Sequence, residues 1–330
     1  MRRASRESGV ALLLALLVLT ILILLVGQMA ISGAHNRSVS RNATATLQNE
    51  YAVLAGYRQA LVRIEEDRER TPDADALDDL WNPPFTFTLG TASVTGRIVD
   101  AERRFNLSSL VNADGEVVPE AKEQLVRLLQ VLGHETAENA DRIVDYVDTD
   151  TKGAFEAGAR NAPLLNLQEL QRIEGLKREV LFGDGIARPL LPFLTVWPKK
   201  GESKLNPNTA PVEVLQSLDA DMTAERAQAI VTWRSAAGEN GAKKAFKTID
   251  DVKQVTELPA ELVTRIAPRL VFKSGAFEIR VHATCFAVER KELFVVGWKT
   301  SGEGADAESR LELLGSMREH EYFDLKPTED

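Results

Sequence analysis

The run ESGVALLLALLVLTILILLVGQMA, Glu7 to Ala30, constrains this chain more than any other stretch. From Val10 to Ala34 there is no charged residue. At about 1.5 Å per helical residue, Val10 to Ile31 spans roughly 33 Å, enough to cross the hydrocarbon core of a bilayer. Arg2, Arg3 and Arg6 precede the run. The positive-inside rule keeps such a terminus in the cytoplasm and sends the rest of the chain outward. Three readings meet these facts. A secretory signal peptide would use Ser32-Gly33-Ala34 as a small-x-small cleavage site, but its apolar region is usually about 7–15 residues long. An ordinary anchor would be kept whole. The third reading removes only a short basic leader and keeps the helix.

Gly9 lies at the junction between the charged residues and the apolar run, just before Val10. This arrangement resembles a type IV prepilin leader: a short basic peptide, a glycine, then an uninterrupted apolar helix. The resemblance implies cleavage between Gly9 and Val10 by a prepilin peptidase, with the helix retained. Most pilins carry a glutamate at the fifth mature position, which here is Leu14. A carboxylate in a bilayer costs roughly 2.5–3.5 kcal/mol and is kept only where it has a partner. In similar filaments that partner is the N-terminal amine of the neighbouring subunit. A subunit without the carboxylate fits best at a tip, where no amine lies beyond it.

The 330 residues suggest two domains, and the apolar content is ordinary for a chain with a sizeable core. The net charge is −9; residues 1–9 carry +2, which leaves −11 on the rest. A remainder so acidic does not bind nucleic acid through a general positive field. The single cysteine, Cys285, excludes an intrachain disulfide. It shares one face of the alternating run FEIRVHATCFA with Phe277, Ile279, Val281 and Ala283, which reads as core.

Beyond the apolar run the helix is expected to continue, with Leu47, Tyr51, Leu54, Leu61 and Ile64 as its packing face. RTPDADALDDLWNPP ends it. Phe85 to Asp100 has strand composition, with a turn around Gly90. From Phe105 to about Phe272 the chain reads as mainly helical, in segments that include PEAKEQLVRLLQVLG, LNLQELQRIEGLKREVLF and TAERAQAIVTWRSAAG. Strands return in GAFEIRVHATCFAVERKELFVVGWKT and SRLELLGSM, with a hairpin turn expected near Glu289-Arg290-Lys291 and a loop at SGEGADAE. Strand material on both sides of a helical block predicts an α+β chain with a helical domain inserted into one sheet domain. The expected division is 1–9 leader, 10–34 transmembrane helix, 35–104 and 273–330 sheet domain, and 105–272 helical insert.

Five fragments add a family resemblance: RRFNLSSLVN at Arg103, RIVDYVDTD at Arg142, NAPLLNLQELQRIEGL at Asn161 and KLNPNTAPVEVLQSL at Lys204, together with the leader. In this order and spacing they resemble the minor pseudopilin K family of type II secretion, which also lacks the fifth-position glutamate. The resemblance implies a pilin-like domain, a long N-terminal helix plus antiparallel sheet, with a large inserted all-α domain. It implies a subunit capping or initiating the pseudopilus tip and supporting export across the outer membrane. Its partners would be other minor pseudopilins and the pseudopilus. It would be a single-pass inner-membrane protein with a cytoplasmic N-terminus and a periplasmic bulk.

Asp145, Asp148 and Asp150 cluster, with Glu156 nearby. Calcium takes about six to eight oxygen ligands, often carboxylates from a helix end and the following loop. Some proteins that this chain resembles bind calcium in the inserted domain. Here the usual acidic, tyrosine-rich stretch is shortened to TKGAFEAGARNAP. The bland alternative has Asp145 in solvent and Asp148 and Asp150 ending the helix with turn bonds. A different class of function also competes. LNPNTAPVEVLQSL resembles helix-hairpin-helix DNA-binding modules, which need a glycine-containing hairpin whose amides face phosphate. The segment between the two helices here is DADMTAERA, acidic and without glycine, so nucleic acid is not an expected partner. His35, His134, His282 and His320 are scattered, and no phosphate loop or nucleophile elbow occurs, so no enzyme is expected.

Overall fold

Helix α1 (Ala4–Arg70) is a single element of 67 residues, about 100 Å long at the standard rise. The structure, a computed structural model, describes residues 4–183, 185–199, 204–238, 244–301 and 308–318. The leader arginines Arg2 and Arg3, the interior of the SGEGADAE loop and His320 lie outside the described residues.

Strands β1 (Phe85–Leu89) and β2 (Ala92–Asp100) form a hairpin around Gly90, whose φ of +61° suits the turn. The chain then leaves the sheet and returns as β5 (Ala276–Cys285), β6 (Val288–Ser301) and β7 (Glu308–Arg318). The sheet is antiparallel in the order β1-β2-β5-β6-β7. Asp100 pairs with Phe277 and Ala92 with Cys285, so β2 and β5 lie side by side around the whole insert. This is the α+β fold with an inserted helical domain that the order of elements implied. The turn between β5 and β6 is Phe286-Ala287, just before Glu289–Lys291. Glu289, Arg290 and Lys291 pair with Thr284, Ala283 and His282 inside the ladder. Arg290, on the same side of the sheet as Ala283, reaches Glu50 of α1 at 2.8 Å.

The face of α1 that covers the sheet differs from the expected stripe. Leu47, Tyr51 and Leu54 are exposed, and Leu61 is half-buried; of the five only Ile64 is buried. The buried face is instead Ala45, Asn49, Ala52, Val53, Gly56, Ala60 and Ile64, set against Val94, Ile98, Phe277, Ile279, Val281 and Cys285. A Cβ on Gly56 would stand 2.6 Å from Val281 Cγ1. Small residues let the helix lie close to the sheet, and a reading that weights large apolar side chains picks the opposite face.

The insert contains α2 (Pro119–Val131), α3 (Ala137–Val147), α4 (Arg178–Phe182), α5 (Val212–Ser217), α6 (Ala224–Ser235), α7 (Ile249–Val252) and α8 (Ala260–Ile266). A short parallel pair, β3 (Phe105–Asn106) and β4 (Leu194–Thr195), ties its two halves. Leu125, Leu128 and Leu129 of α2 and Ile143, Val144 and Val147 of α3 fill its core at helical spacing. Gly133, at φ +84°, ends the α2 segment. LNLQELQRIEGLKREVLF does not make one helix. Asn166 caps a short 3-10 turn over Leu167–Arg172, and Gly175 at φ +79° separates it from α4.

Candidate functional site

At the amino end of α1, Gly9, Val10 and Leu14 lie in one continuous helix and are exposed. Among the described residues α1 is the one helix long and apolar enough to cross a membrane. Its most apolar window is buried nowhere against the rest of the chain. A stripe of unburied leucine, isoleucine and valine is costly in water and favourable in lipid.

The carboxylates divide into two groups with different chemistry. In the first, Asp148, Asp150 and Glu156 bring one oxygen each within 4.8 Å of the others. Asp148 is the C-cap of α3, and Asp150 and Glu156 follow in the loop. Asp150 Oδ1 accepts from Lys152 N at 2.7 Å, and Glu156 Oε1 accepts from Gly153 N at 2.9 Å. Asp145 turns to the loop backbone, where its Oδ2 accepts from Phe155 N at 2.9 Å. A Cβ on Gly153 would lie 2.0 Å from that oxygen, so the loop passes Asp145 only as glycine. The arrangement therefore gathers three of the four expected acids and uses Asp145 to hold their loop.

Asn161, which sequence reasoning missed, closes the group. It sits at φ +52°, a conformation asparagine tolerates. Its Nδ2 donates to Asp150 O at 2.6 Å and faces Glu156 Oε2 at 3.4 Å. Asp148 Oδ1 and Asn161 Oδ1 are both buried without a hydrogen-bond partner. These two acceptors, one of them on the triad's own Asp148, are of the oxygen type that a hard cation takes. Burial, and then the charges of Asp150, Glu156 and Asp145, push the Asp148 carboxyl up to about 6. The acids thus repel one another, and a divalent ion would relieve that repulsion.

In the second group, Asp67, Asp75 and Asp79 also lie within 4.8 Å of one another, at the end of α1 and in the loop after it. Here each carboxylate already accepts from the protein. Asp67 Oδ1 takes Leu80 N at 2.7 Å, Asp75 Oδ2 takes Ser274 N at 2.6 Å and Asp79 Oδ2 takes Ala76 N at 2.5 Å. Such acids tie loops together, and unlike Asp148 none of them has a fully buried oxygen left without a partner. Desolvation pushes Asp75 and Asp79 each to about 7, and Glu102 to about 8.

The LNPNTAP loop meets this seam. Asn206 Nδ2 contacts Asp75 O at 2.9 Å, Ser274 Oγ at 2.9 Å and Asp100 Oδ2 at 3.2 Å. Thr209 Oγ1 donates to Asp100 Oδ2 at 2.5 Å. Asn208 exchanges two bonds with the Phe246 backbone, at 2.9 and 2.7 Å. Buried Arg234 donates to Pro207 O and Ala210 O. The loop's polar atoms are therefore spent inside the protein, holding the insert to the sheet domain. Between α5 and α6, Asp219 and Asp221 grip Arg265 at 2.9 and 2.5 Å. A phosphate approaching that hairpin would meet two acids and no open glycine amide. His134 Nε2 lies at Arg188 O and His282 Nε2 lies 3.4 Å from Glu289, far apart and without a shared ligand geometry.

Known proteins give a consistent comparison. Residues 103–199 and 205–273, together half of the chain, match two family models, both described as type II secretion system (T2SS), protein K. Type II secretion system protein K of Aeromonas hydrophila is 28% identical over 171 residues, 48% of this chain and 51% of that protein. The protein of the same name from Klebsiella pneumoniae is 24% identical over 192 residues, 52% of this chain and 59% of that protein. The matched segments thus span between half and three-fifths of those relatives' own length. Among solved structures, a chain of the GspK-GspI-GspJ complex from the enterotoxigenic Escherichia coli type 2 secretion system superposes with a TM-score of 0.67. It covers 85% of this chain and 99% of that one at 17% identity, and so shares the fold.

Proposed function

The chain belongs to the type II secretion system protein K family, and from that premise we propose that it is a minor pseudopilin. It sits at the tip of the pseudopilus, caps or initiates the filament, and supports protein export across the outer membrane. The observation that carries this reading is α1, which runs without a break from an unburied apolar segment into the core of the sheet domain. A helix shared in this way joins an anchor rigidly to a head.

Its partners are other minor pseudopilins, as in the solved GspK-GspI-GspJ complex. Leu47, Tyr51 and Leu54 support this, because they leave an apolar stripe on the face of α1 that points away from its own sheet. The anchor is in the inner membrane, with the N-terminus cytoplasmic and the remainder periplasmic. A prepilin peptidase cuts between Gly9 and Val10. Leu14 gives a neighbour no carboxylate, which suits the last subunit of a filament. The bulk of the insert, residues 105–272, is also accommodated most easily at an end. Asp148, Asp150, Glu156 and Asn161 hold calcium, which neutralises the loop and fixes it to α3. The role is structural and not enzymatic. The helix-hairpin-helix alternative is disfavoured by the Arg265 clasp.

Intact mass of the membrane-extracted protein tests the assignment. Coexpressed prepilin peptidase should remove only residues 1–9. Loss of residues 1–34, or retention of Arg2, would refute it. Replacing Leu14 with glutamate should leave a folded subunit that initiates filaments poorly; undiminished initiation would refute the tip position.

A further inference from the structure

We propose that the anchor-proximal end of the head docks on anionic phospholipid headgroups of the bilayer that holds α1. The inference rests on reading residues 10–34 as membrane-spanning.

Contacts along α1 fix which end of the head faces the anchor. The Arg41 guanidinium lies 4.0 Å from the centre of the Phe286 ring. Gln48 Oε1 accepts from Cys285 Sγ at 2.9 Å, and Gly56 lies against Val281. Later still, Arg68 reaches Ser274 O. The helix therefore runs opposite to β5, and the Phe286-Ala287 turn is at the anchor end. Because Ala92 pairs with Cys285, the Leu89–Thr91 turn lies beside it.

Three features of this end fit a lipid surface. First, it is apolar where it is most prominent: Leu89 is 41% exposed and Phe286 49%. Second, Phe286 holds φ +53° in a two-residue hairpin turn. Such turns usually place glycine, asparagine or aspartate at that conformation. A bulky aromatic there is strained, and its ring finds no core to fill. Strain of this kind tends to mark a functional position. Third, α1 carries no aspartate or glutamate from Ser8 to Asn49, while Arg37 and Arg41 are present and exposed. The remainder of the chain after Gly9 is strongly acidic, so this segment stands out in charge. Of the nearest acids, Glu50 is engaged by Arg290 at 2.8 Å, and Glu289 lies 3.4 Å from the His282 ring.

Distance selects the bilayer as occupant. Arg41 follows Ala34 by seven residues, about 10 Å along the helix. The headgroup layer on each side of the hydrocarbon is roughly 5–8 Å deep. Arg37 falls within it, and Arg41 and Phe286 lie roughly 2–5 Å beyond it, within one Debye length of the headgroup charges. A rigid helix therefore carries the tip to the lipid in every copy of the anchored subunit. Basic side chains with an apolar tip form the usual combination for interfacial binding.

Photo-crosslinking on the full-length protein tests this. p-Benzoylphenylalanine replaces Phe286, and in separate samples Leu17 within the anchor and Ile186 on the insert. The samples are reconstituted in nanodiscs of phosphatidylcholine with or without phosphatidylglycerol. Lipid adducts are expected at position 286 and not at 186. Their yield at 286 should rise roughly fivefold or more with phosphatidylglycerol, and Arg37→Gln with Arg41→Gln should abolish the rise. Adducts at 17 but none at 286 would overturn the docking and leave the anchor intact. A yield at 286 indifferent to phosphatidylglycerol, or adducts at 286 only to added minor pseudopilins, would also overturn it. Absence of adducts at 17 would overturn the anchor itself, and the docking with it.

Discussion

Arg104 Nη1 lies 2.7 Å from Glu278 Oε2, and both side chains are almost completely buried, at 3% and 4% exposure. The two are 174 positions apart. Arg104 immediately precedes the insert and Glu278 stands on β5, so the pair clamps the base of the insert to the sheet. Burial pushes the Glu278 carboxyl upward, but the charges of Arg104 and Arg280 outweigh it and hold the group below its ordinary value.

Breaking this clamp on one side should be far worse than removing it. Arg104→Met leaves a buried carboxylate with Arg280 as its remaining cation, and should cost about 3–5 kcal/mol. The double variant Arg104→Met, Glu278→Leu should recover much of the loss. Urea denaturation followed by tryptophan fluorescence measures both.

The close approach at Gly56 predicts a sharp asymmetry between the two faces of α1. Gly56→Ala should cost about 1–3 kcal/mol through overpacking against Val281. Tyr51→Ala on the opposite face should change stability by less than about 0.5 kcal/mol. It should nevertheless weaken copurification with other minor pseudopilins. Thermal melts paired with pull-downs separate the two effects.

Calcium at the α3 loop should appear as a ligand-dependent rise in melting temperature. At a calcium concentration about a hundred times the dissociation constant, the stabilisation is roughly 2.7 kcal/mol. Asp148→Asn and Glu156→Gln should abolish the shift, whereas Asp250→Asn on the exposed start of α7 should preserve it. Chelator should return the wild type to its calcium-free melting point.

The seam carboxyls give a pH dependence with a definite sign. Asp75 and Asp79 are raised to about 7 and Glu102 to about 8, chiefly by desolvation. Their folded forms hold protons that the unfolded chain has already released, so their contribution is full below about pH 4 and declines as pH rises toward 7–8. Stability should therefore fall between pH 5 and 8, by up to about 1.4 kcal/mol per pH unit for each group titrating. Asp75→Asn should flatten the slope. Denaturant midpoints across this range measure it.

Periodicity and composition carried the reading of α1, of the Phe85–Asp100 strands and of the buried Cys285 face, because each repeats one signal over many residues. They failed where a single close contact decides. The packing face of α1 is set by the space above Val281, which favours Ala52, Gly56 and Ala60 over Leu47 and Tyr51. The β5–β6 turn was legible in place, and ladder register then draws Glu289–Lys291 into the strand and leaves Phe286 at the tip. The acids at Asp148, Asp150 and Glu156 were visible as a cluster, but Asn161 joins them only because a left-handed turn brings it back.

By itself, the sequence determined that this chain has one long apolar helix, a divided sheet domain and a helical insert. Those properties follow from local periodicity and from the solvent each segment can tolerate. Only the tertiary structure decided which side of α1 meets the sheet, that Asn206 and Arg104 fasten the insert, and which carboxylates keep a free oxygen. Those depend on distances between residues far apart in the chain, where a single atom's radius or one buried charge selects among arrangements that the same pattern of residues allows.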